Sequence, residues 1–269
     1  MFVIIVPIYK KKGSASDPNN YRGITLLSCI GKLFTAVLNA RLTKYLDGTG
    51  LIGEEQAGFR ANYSTMDHVF TLHCIIDMYL KNKKKLYCAF VDYKKAFDLI
   101  NRSDLWSKLI ANGINGKLIT VIYNLYNQAK SCVKSNNQIS DFFSCNVGVR
   151  QGENLSPILF SIFLNDLESS FRKDGVPGLK FINEETIKHL SDDDVEMFLK
   201  LYVLLYADDT IILAESAEDL QKALNSLYTY CQTWHLTVNA SKTKVVIFSR
   251  GKTRKIPLFK FGDDSVAVW

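Results

Sequence analysis

Hydrophobic and polar positions along the chain switch repeatedly between a period of two and a period near 3.6. Val3–Tyr9 is an apolar run of strand length, followed by a polar loop, Lys10–Asn20. Leu26, Leu27, Ile30, Leu33, Phe34, Val37, Leu38 and Leu42 recur at helical spacing. They predict an amphipathic helix to about Leu46, with Lys32, Arg41 and Lys44 on its outer face. A second helix is predicted over Met66–Lys81, with Val69, Leu72, Ile76 and Tyr79 inward. Leu86–Asp92 is a compact β-type run suited to a buried central strand. Helices follow at about Ser103–Asn112 and Lys117–Gln128. Ser131–Val149 has the pattern of a hairpin turning at Asn136-Asn137.

Ser156 followed by Pro157 is a helix start, a hydroxyl cap before proline at the first helical position, and the helix is predicted to reach about Arg172. Two β-rich runs, Leu199–Leu205 and Thr210–Ala214, flank Tyr206-Ala207-Asp208-Asp209 as a hairpin with acids at its tip. A helix over Ala217–Trp234 and a strand over Lys244–Phe248 complete the pattern. Strands mixed with helices, several of them hairpin-paired, predict an α+β fold with an antiparallel sheet. The acidic stretch around 183–196 is expected to be a surface insertion.

Composition narrows the class. The 269 residues allow one large domain or two small ones, and 47% hydrophobic with 22% charged residues is ordinary for a globular chain. The longest apolar runs, Phe2–Tyr9 and Tyr202–Ala207, fall far short of the roughly 20 residues that span a bilayer. Met1–Tyr9 lacks a cationic leader, so a soluble intracellular protein, cytoplasmic or nuclear and without a membrane partner, is expected. Six scattered cysteines with no C-x-x-C pair predict reduced thiols rather than a disulfide framework or zinc site. The net charge of +6 gathers in Lys10–Lys12, in Lys81, Lys83, Lys84 and Lys85, and between Lys242 and Lys260. Three basic clusters beside 13 tyrosines and 16 phenylalanines favour nucleic acid over an acidic membrane as partner.

The acids carry the sharper signal. An aspartate ends a hydrophobic strand in Phe90-Val91-Asp92-Tyr93-Lys94-Lys95-Ala96-Phe97-Asp98, and Asp208-Asp209 sit in a tight turn between apolar strands. A hairpin in a buried sheet has little structural use for paired carboxylates, which repel and must be desolvated. A divalent cation resolves that repulsion, and Mg²⁺ takes one or two carboxylates plus water and substrate phosphate. If the strand ending at Asp92 lies beside that hairpin, the carboxylates share one sheet edge and could hold two Mg²⁺ for in-line phosphoryl displacement. A solvated turn is the plain alternative for Asp208-Asp209. Its flanks, Leu204-Leu205-Tyr206 and Ile211-Ile212-Leu213, weigh against it.

Tyr206-Ala207-Asp208-Asp209 resembles the acidic signature of reverse transcriptases, and Phe90 to Asp98 resembles their first catalytic motif. Val149-Arg150-Gln151-Gly152-Glu153-Asn154-Leu155-Ser156-Pro157 resembles the motif between them. Order and spacing are similar to those of the non-LTR (LINE-type) retrotransposon branch over nearly the whole chain. Tyr21-Arg22-Gly23-Ile24-Thr25-Leu26-Leu27 and Gln56-Ala57-Gly58-Phe59-Arg60 resemble its fingers segments, and Asn239-Ala240-Ser241-Lys242-Thr243-Lys244 its lysine motif.

The resemblance implies a right-hand polymerase, with fingers over 1–85 and an antiparallel palm sheet flanked by helices over 86–269. It implies extension of a DNA primer on an RNA template with deoxynucleoside triphosphates and two Mg²⁺, Mn²⁺ being a possible substitute. Asp92 and Asp208 would be metal ligands, with Asp209 a weaker participant. Phe97 would be a steric gate against a 2′-hydroxyl; a core aromatic is the alternative. Arg22 with one of Lys10, Lys11 or Lys12 would contact the triphosphate, and Gln151-Gly152 would lie near the templating base. Lys242, with Lys244 as competitor, would protonate the leaving pyrophosphate. Arg150 would anchor its loop or touch template. His68, His73, His189 and His235 are expected to be ordinary residues.

Against the family pattern, Met1 lies almost on the first strand and the chain stops at Trp269, so the endonuclease and the thumb are expected to be absent. Gly23 stands where relatives often carry proline. Two rivals follow: a retrotransposon-derived fragment that at most binds RNA or nucleotide, and a palm-type nucleotidyl cyclase. Intact Asp92, Asp208 and Asp209 oppose the first; Arg22, Gly58-Phe59-Arg60 and Arg150-Gln151-Gly152 oppose the second.

Overall fold

A computed structural model describes residues 2–180, 200–251 and 256–269. In chain order the elements are β1 (Phe2–Tyr9), β2 (Tyr21–Leu26), α1 (Cys29–Thr49), α2 (Thr65–Lys81) and β3 (Leu86–Val91). They continue with α3 (Ala96–Leu99), α4 (Arg102–Ala111), α5 (Gly116–Asn127), β4 (Lys130–Ser135), β5 (Gln138–Ile139) and β6 (Phe143–Ser144). Then come α6 (Ser156–Leu164), α7 (Leu167–Lys173), β7 (Leu179–Lys180), β8 (Lys200–Leu201), β9 (Val203–Tyr206) and β10 (Asp209–Ala214). The last are α8 (Ala217–Thr233), β11 (Lys244–Phe248), β12 (Phe259–Phe261) and β13 (Asp264–Val268). The expected insertion around 183–196, and His189 with it, lies outside the described residues. No helix among the described residues is long and apolar enough to cross a membrane.

The first unit comprises Met1–Ile52 and Lys95–Phe163. Its sheet runs β2-β1-β4-β5, with β6 also on β4; β1 pairs antiparallel with β2 and parallel with β4. The hairpin of β4 and β5 turns at Asn136 and Asn137, both at positive φ (47° and 61°). A two-residue hairpin turn needs that conformation, and asparagine tolerates it. Leu26 ends β2, opposite Ile4, instead of opening the first helix. The helix starts after Ser28, whose hydroxyl accepts from the Gly31 N–H at 3.1 Å. Its buried stripe is Thr35, Leu38, Leu42 and Leu46, whereas Ile30, Leu33, Phe34 and Val37, expected inward, are exposed.

The second unit comprises Gly53–Lys94 and Leu164–Trp269. These units cut the chain differently from the 1–85 and 86–269 lobes of the sequence reading. A six-stranded sheet, β12-β13-β11-β3-β10-β9, has β3 in its interior, antiparallel to both neighbours. Leu86 and Cys88 of β3 join Ile75 and Tyr79 of α2, with Leu179, Leu204 and Leu213, in a buried apolar cluster. Val69 of α2, also expected inward, is exposed, while Leu72 and Ile76 pack against that cluster. The predicted single helix from Ser156 breaks at 165–166. There Asn165 accepts from the Gly53 N–H at 3.2 Å and Asp166 accepts from the Tyr230 hydroxyl at 2.6 Å. The apolar period runs on through the break, so the pattern alone conceals it. The Ser156 hydroxyl also engages Tyr126 and Glu153.

Candidate active site

Asp92 follows directly on β3, and its backbone is clamped from the loop before β11. Its N–H donates to Thr243 Oγ1 at 3.2 Å, and its carbonyl accepts from the Asn239 N–H at 2.7 Å. Its carboxylate, 41% exposed, lies 3.5 Å from Lys242 Nζ. Lys244 Nζ is instead tethered to the Ser241 carbonyl at 2.6 Å. The register pairs Val91 with Thr210, so the chain leaves β3 at Asp92 and enters β10 at Asp209 at the same end of the sheet. Asp209 also pairs with Tyr206, leaving Ala207-Asp208 as a two-residue turn with Ala207 at φ 58°.

The three carboxylates differ in surroundings. Asp209 is exposed and lines an apolar recess of about 220 Å³ with His68, Val69, Leu72, Phe90 and Tyr206. Asp208 is half-buried and acts on the buried Tyr93 phenol. Burial above all, with Cys231 and then Asp208 adding, pushes that phenol's pKa up. Among the described residues no group of three or more Asp, Glu, His or Cys is arranged to hold a metal by itself. Partly exposed hard-oxygen donors on adjacent strand ends do fit a cation that takes one or two carboxylates and leaves its other positions to water and phosphate.

A segment that sequence reasoning grouped with the fingers belongs to this same unit and braces the aspartate turn. Gln56 pairs with Leu205 as a parallel bridge, Leu205 N–H donates to the Glu55 carbonyl (2.7 Å), and Ala57 N–H donates to the Leu205 carbonyl (2.9 Å). His68 Nε2 donates to the carbonyls of Glu55 and Leu205 at 3.1 and 2.9 Å, so this histidine, expected to be ordinary, ties α2 to the strand before the turn. The Glu55 carboxyl is held up at about 7, first by burial and then by Glu168, with Arg172 and Arg60 opposing. A carboxyl raised on folding favours the folded state below its unfolded value, and that advantage is lost as pH rises through the folded value. Stability should therefore decline between about pH 4.5 and 7, by on the order of 3 kcal/mol at full effect. Glu55→Gln should flatten that decline in urea melts across the same range, and an unchanged slope would show that Glu55 is ionised in the fold.

The remaining predicted residues lie in the other unit. Arg22 is exposed on β2, facing Ile8 across the ladder. Lys10, Lys11 and Lys12 are exposed just beyond β1, and Lys10 Nζ donates to the Asn19 carbonyl at 3.0 Å. The Gln151 carbonyl accepts from the Thr25 N–H at 2.8 Å. Gly152 has φ 100°, and a Cβ there would lie 3.0 Å from the Thr25 carbonyl oxygen. The structure thus brings Gln151-Gly152 onto the strand that carries Arg22. Phe97 is half-buried and stacks on the buried Phe160, centroids 4.7 Å apart at 18°, while its carbonyl accepts from the Val149 N–H at 2.7 Å.

Arg150, left open between anchor and template contact, is an anchor. It pairs with the buried Glu153 at 3.3 Å, donates to the Leu125 carbonyl at 2.9 Å and lies 4.4 Å over the Tyr126 ring. Residues that sequence reasoning missed are Gln56, His68 and Thr243. Their partners are distant in the chain and leave no periodic signature.

The family profile described as reverse transcriptase (RNA-dependent DNA polymerase) matches residues 8–261. A probable RNA-directed DNA polymerase from transposon BS of Drosophila melanogaster is 28% identical over 245 residues, which cover 89% of this chain and 25% of that protein. The RNA-directed DNA polymerase from mobile element jockey of the same species is 26% identical, covering 91% and 25%. The chain spans about a quarter of the length of these curated relatives. Among solved structures, apo telomerase from Candida tropicalis superposes with a TM-score of 0.60 at 16% identity, over 98% of this chain and 47% of that one. At that identity the likeness is one of fold, the α+β right-hand polymerase architecture.

Proposed function

The chain belongs to the reverse transcriptase family, in its non-LTR retrotransposon branch, and from that premise we propose that it extends a DNA primer on an RNA template. The family uses divalent metal; two Mg²⁺, with Mn²⁺ as substitute, are our assignment for this chain. What carries the reading is Asp92 and the Ala207-Asp208 turn at one end of adjacent antiparallel strands, with Lys242 at Asp92.

Asp92 and Asp208 would hold the metal, with Asp209 assisting. Bound there, the ions supply Lewis acidity that lowers the pKa of the primer 3′-hydroxyl and offsets triphosphate charge. Lys242 keeps a proton on Nζ within 3.5 Å of Asp92 and passes it to the leaving pyrophosphate. Arg22 grips phosphate oxygens with its planar fork, and Lys10 or Lys12 adds a point charge. Gln151 and Gly152 bring backbone close to the nucleotide, since glycine at φ 100° leaves no side chain in the way. Phe97, stiffened by its stack on Phe160, rejects a 2′-hydroxyl by contact. In this assignment residues 1–85 act as fingers and 86–269 as palm, and the RNA template places the work inside the cell.

The test is primer extension by the purified chain on annealed RNA template with Mg²⁺ and deoxynucleoside triphosphates. Extension should require template, primer and metal together, and EDTA should stop it. No extension by a demonstrably folded chain would favour the alternative, a retrotransposon-derived fragment that at most binds RNA or nucleotide. Pyrophosphate release without template or primer would favour a cyclase.

A further inference from the structure

We propose that Gln56 is a positioning residue for the aspartate turn: its amide oxygen fixes the Ala207 N–H and so sets where Asp208 presents its carboxylate. The inference rests on the polymerase reading for its consequence, and on geometry alone for its placement. Gln56 is 0% exposed. Its Oε1 accepts from the Gly58 N–H at 2.8 Å and from the Ala207 N–H at 3.1 Å, one residue before Asp208. Its Nε2 is buried without a hydrogen-bond partner among the described residues.

Ala207 needs this help for two reasons. It stands at φ 58°, a conformation that favours glycine or asparagine. It is also buried, and its N–H belongs to the turn, outside the β9–β10 ladder that ends with the Asp209–Tyr206 pair. A buried N–H requires an acceptor, and the Gln56 side chain, 151 residues away in sequence, supplies it. A leucine would bury at less desolvation cost than an amide whose nitrogen goes unpaired. The use of the amide is therefore its oxygen, and the object it holds is the turn.

Two substitutions separate positioning from packing. Gln56→Met keeps length and volume but removes the acceptor, whereas Gln56→Glu keeps an oxygen at the same place in either protonation state. Amide hydrogen exchange, resolved for residues 205–210, is the primary readout because it needs no catalysis. In the wild type the Ala207 amide should be protected. In Gln56→Met exchange at the turn should rise roughly tenfold, the scale of one lost hydrogen bond, with β3 unchanged, and Gln56→Glu should restore protection.

Alongside, kcat for primer extension should fall at least tenfold in Gln56→Met while the nucleotide KM holds and the Mg²⁺ concentration for half-maximal rate rises. An Ala207 amide exchanging like an open turn in the wild type would overturn the proposal. So would uniform acceleration across the unit without rescue by glutamate, which would make Gln56 ordinary packing. Should Gln56→Met not fold, wild-type protection together with retained protection in Gln56→Glu decides the matter. If the wild type extends no primer, the polymerase reading fails in that arm while the exchange arm still judges the placement.

Discussion

Asp208→Asn is expected to abolish primer extension while leaving the fold intact, and Asp92→Asn is expected to do the same. Asparagine keeps the shape of aspartate and loses the charge, so it separates structural use from metal binding. At Asp92 the structural use is in the backbone: the N–H held by Thr243 and the carbonyl held by Asn239 survive the substitution. What is lost is a 3.5 Å ion pair with Lys242 between groups 41% and 63% exposed, a type worth about 1 kcal/mol or less. At Asp208 the side chain is half-buried in a two-residue turn whose backbone is held from Gln56. The Asp92 change should therefore move the urea midpoint little, and the Asp208 change leaves the Gln56 hold on the turn backbone in place. On the proposed assignment, either substitution would remove a metal ligand and should cost at least about 10³-fold in rate. Single-turnover extension at equal protein concentration, beside urea melts of each variant, checks both halves. Full activity in Asp208→Asn would remove the metal assignment, and unfolding would mean the carboxylate is structural.

The sequence showed this part of the molecule more clearly than the rest, for a physical reason. Strands β3 and β10 are short and mostly buried, β11 is short and partly buried, and polar residues or turns bound all three, so composition and length delimit them almost to the residue. The Asn136-Asn137 turn was legible because only a few residue types accept two successive positive φ angles. By contrast, β2 was hidden because Leu26 and Leu27 continue, by chance of spacing, the apolar series of α1. The outward set Ile30, Leu33, Phe34 and Val37 is as hydrophobic as the inward set, and periodicity cannot say which face is buried when both are apolar. Gln56 was quoted as part of a motif, but its role depends on Ala207, 151 residues on, and no local pattern encodes such a contact. Arg150 is the same case in reverse. An arginine in a motif invites a nucleic-acid role, while its burial against Glu153 and Tyr126 shows where its charge is used.

Gly58→Ala, a single methyl group, should disable the protein severely. An ideal Cβ at Gly58 would fall 2.2 Å from the Ala207 nitrogen and 2.9 Å from the Tyr206 carbonyl carbon, both backbone atoms of the aspartate turn. It would also fall 2.8 Å from Gln56 Oε1, the acceptor on which that turn depends. Flexible side-chain ends can move aside; backbone cannot do so without displacing its neighbours, so either the 56–58 segment or the turn must shift. Overpacking of this kind typically costs about 1–3 kcal/mol. A displacement near 1 Å at a reacting group can cost on the order of 10²-fold in rate, so extension should fall further than stability. Gly48→Ala is the control, because it sits in α1 with nothing within 4 Å of its would-be Cβ. There alanine should be neutral or stabilising by up to about 1 kcal/mol. Urea melts and extension rates of the two variants make the comparison. If Gly58→Ala behaves like Gly48→Ala in both, the close approach of the 56–58 segment to the turn is wrong, and the support assigned to Gln56 falls with it. If Gly58→Ala stays folded yet loses extension, placement of Asp208 depends on this backbone contact as well as on its own strand.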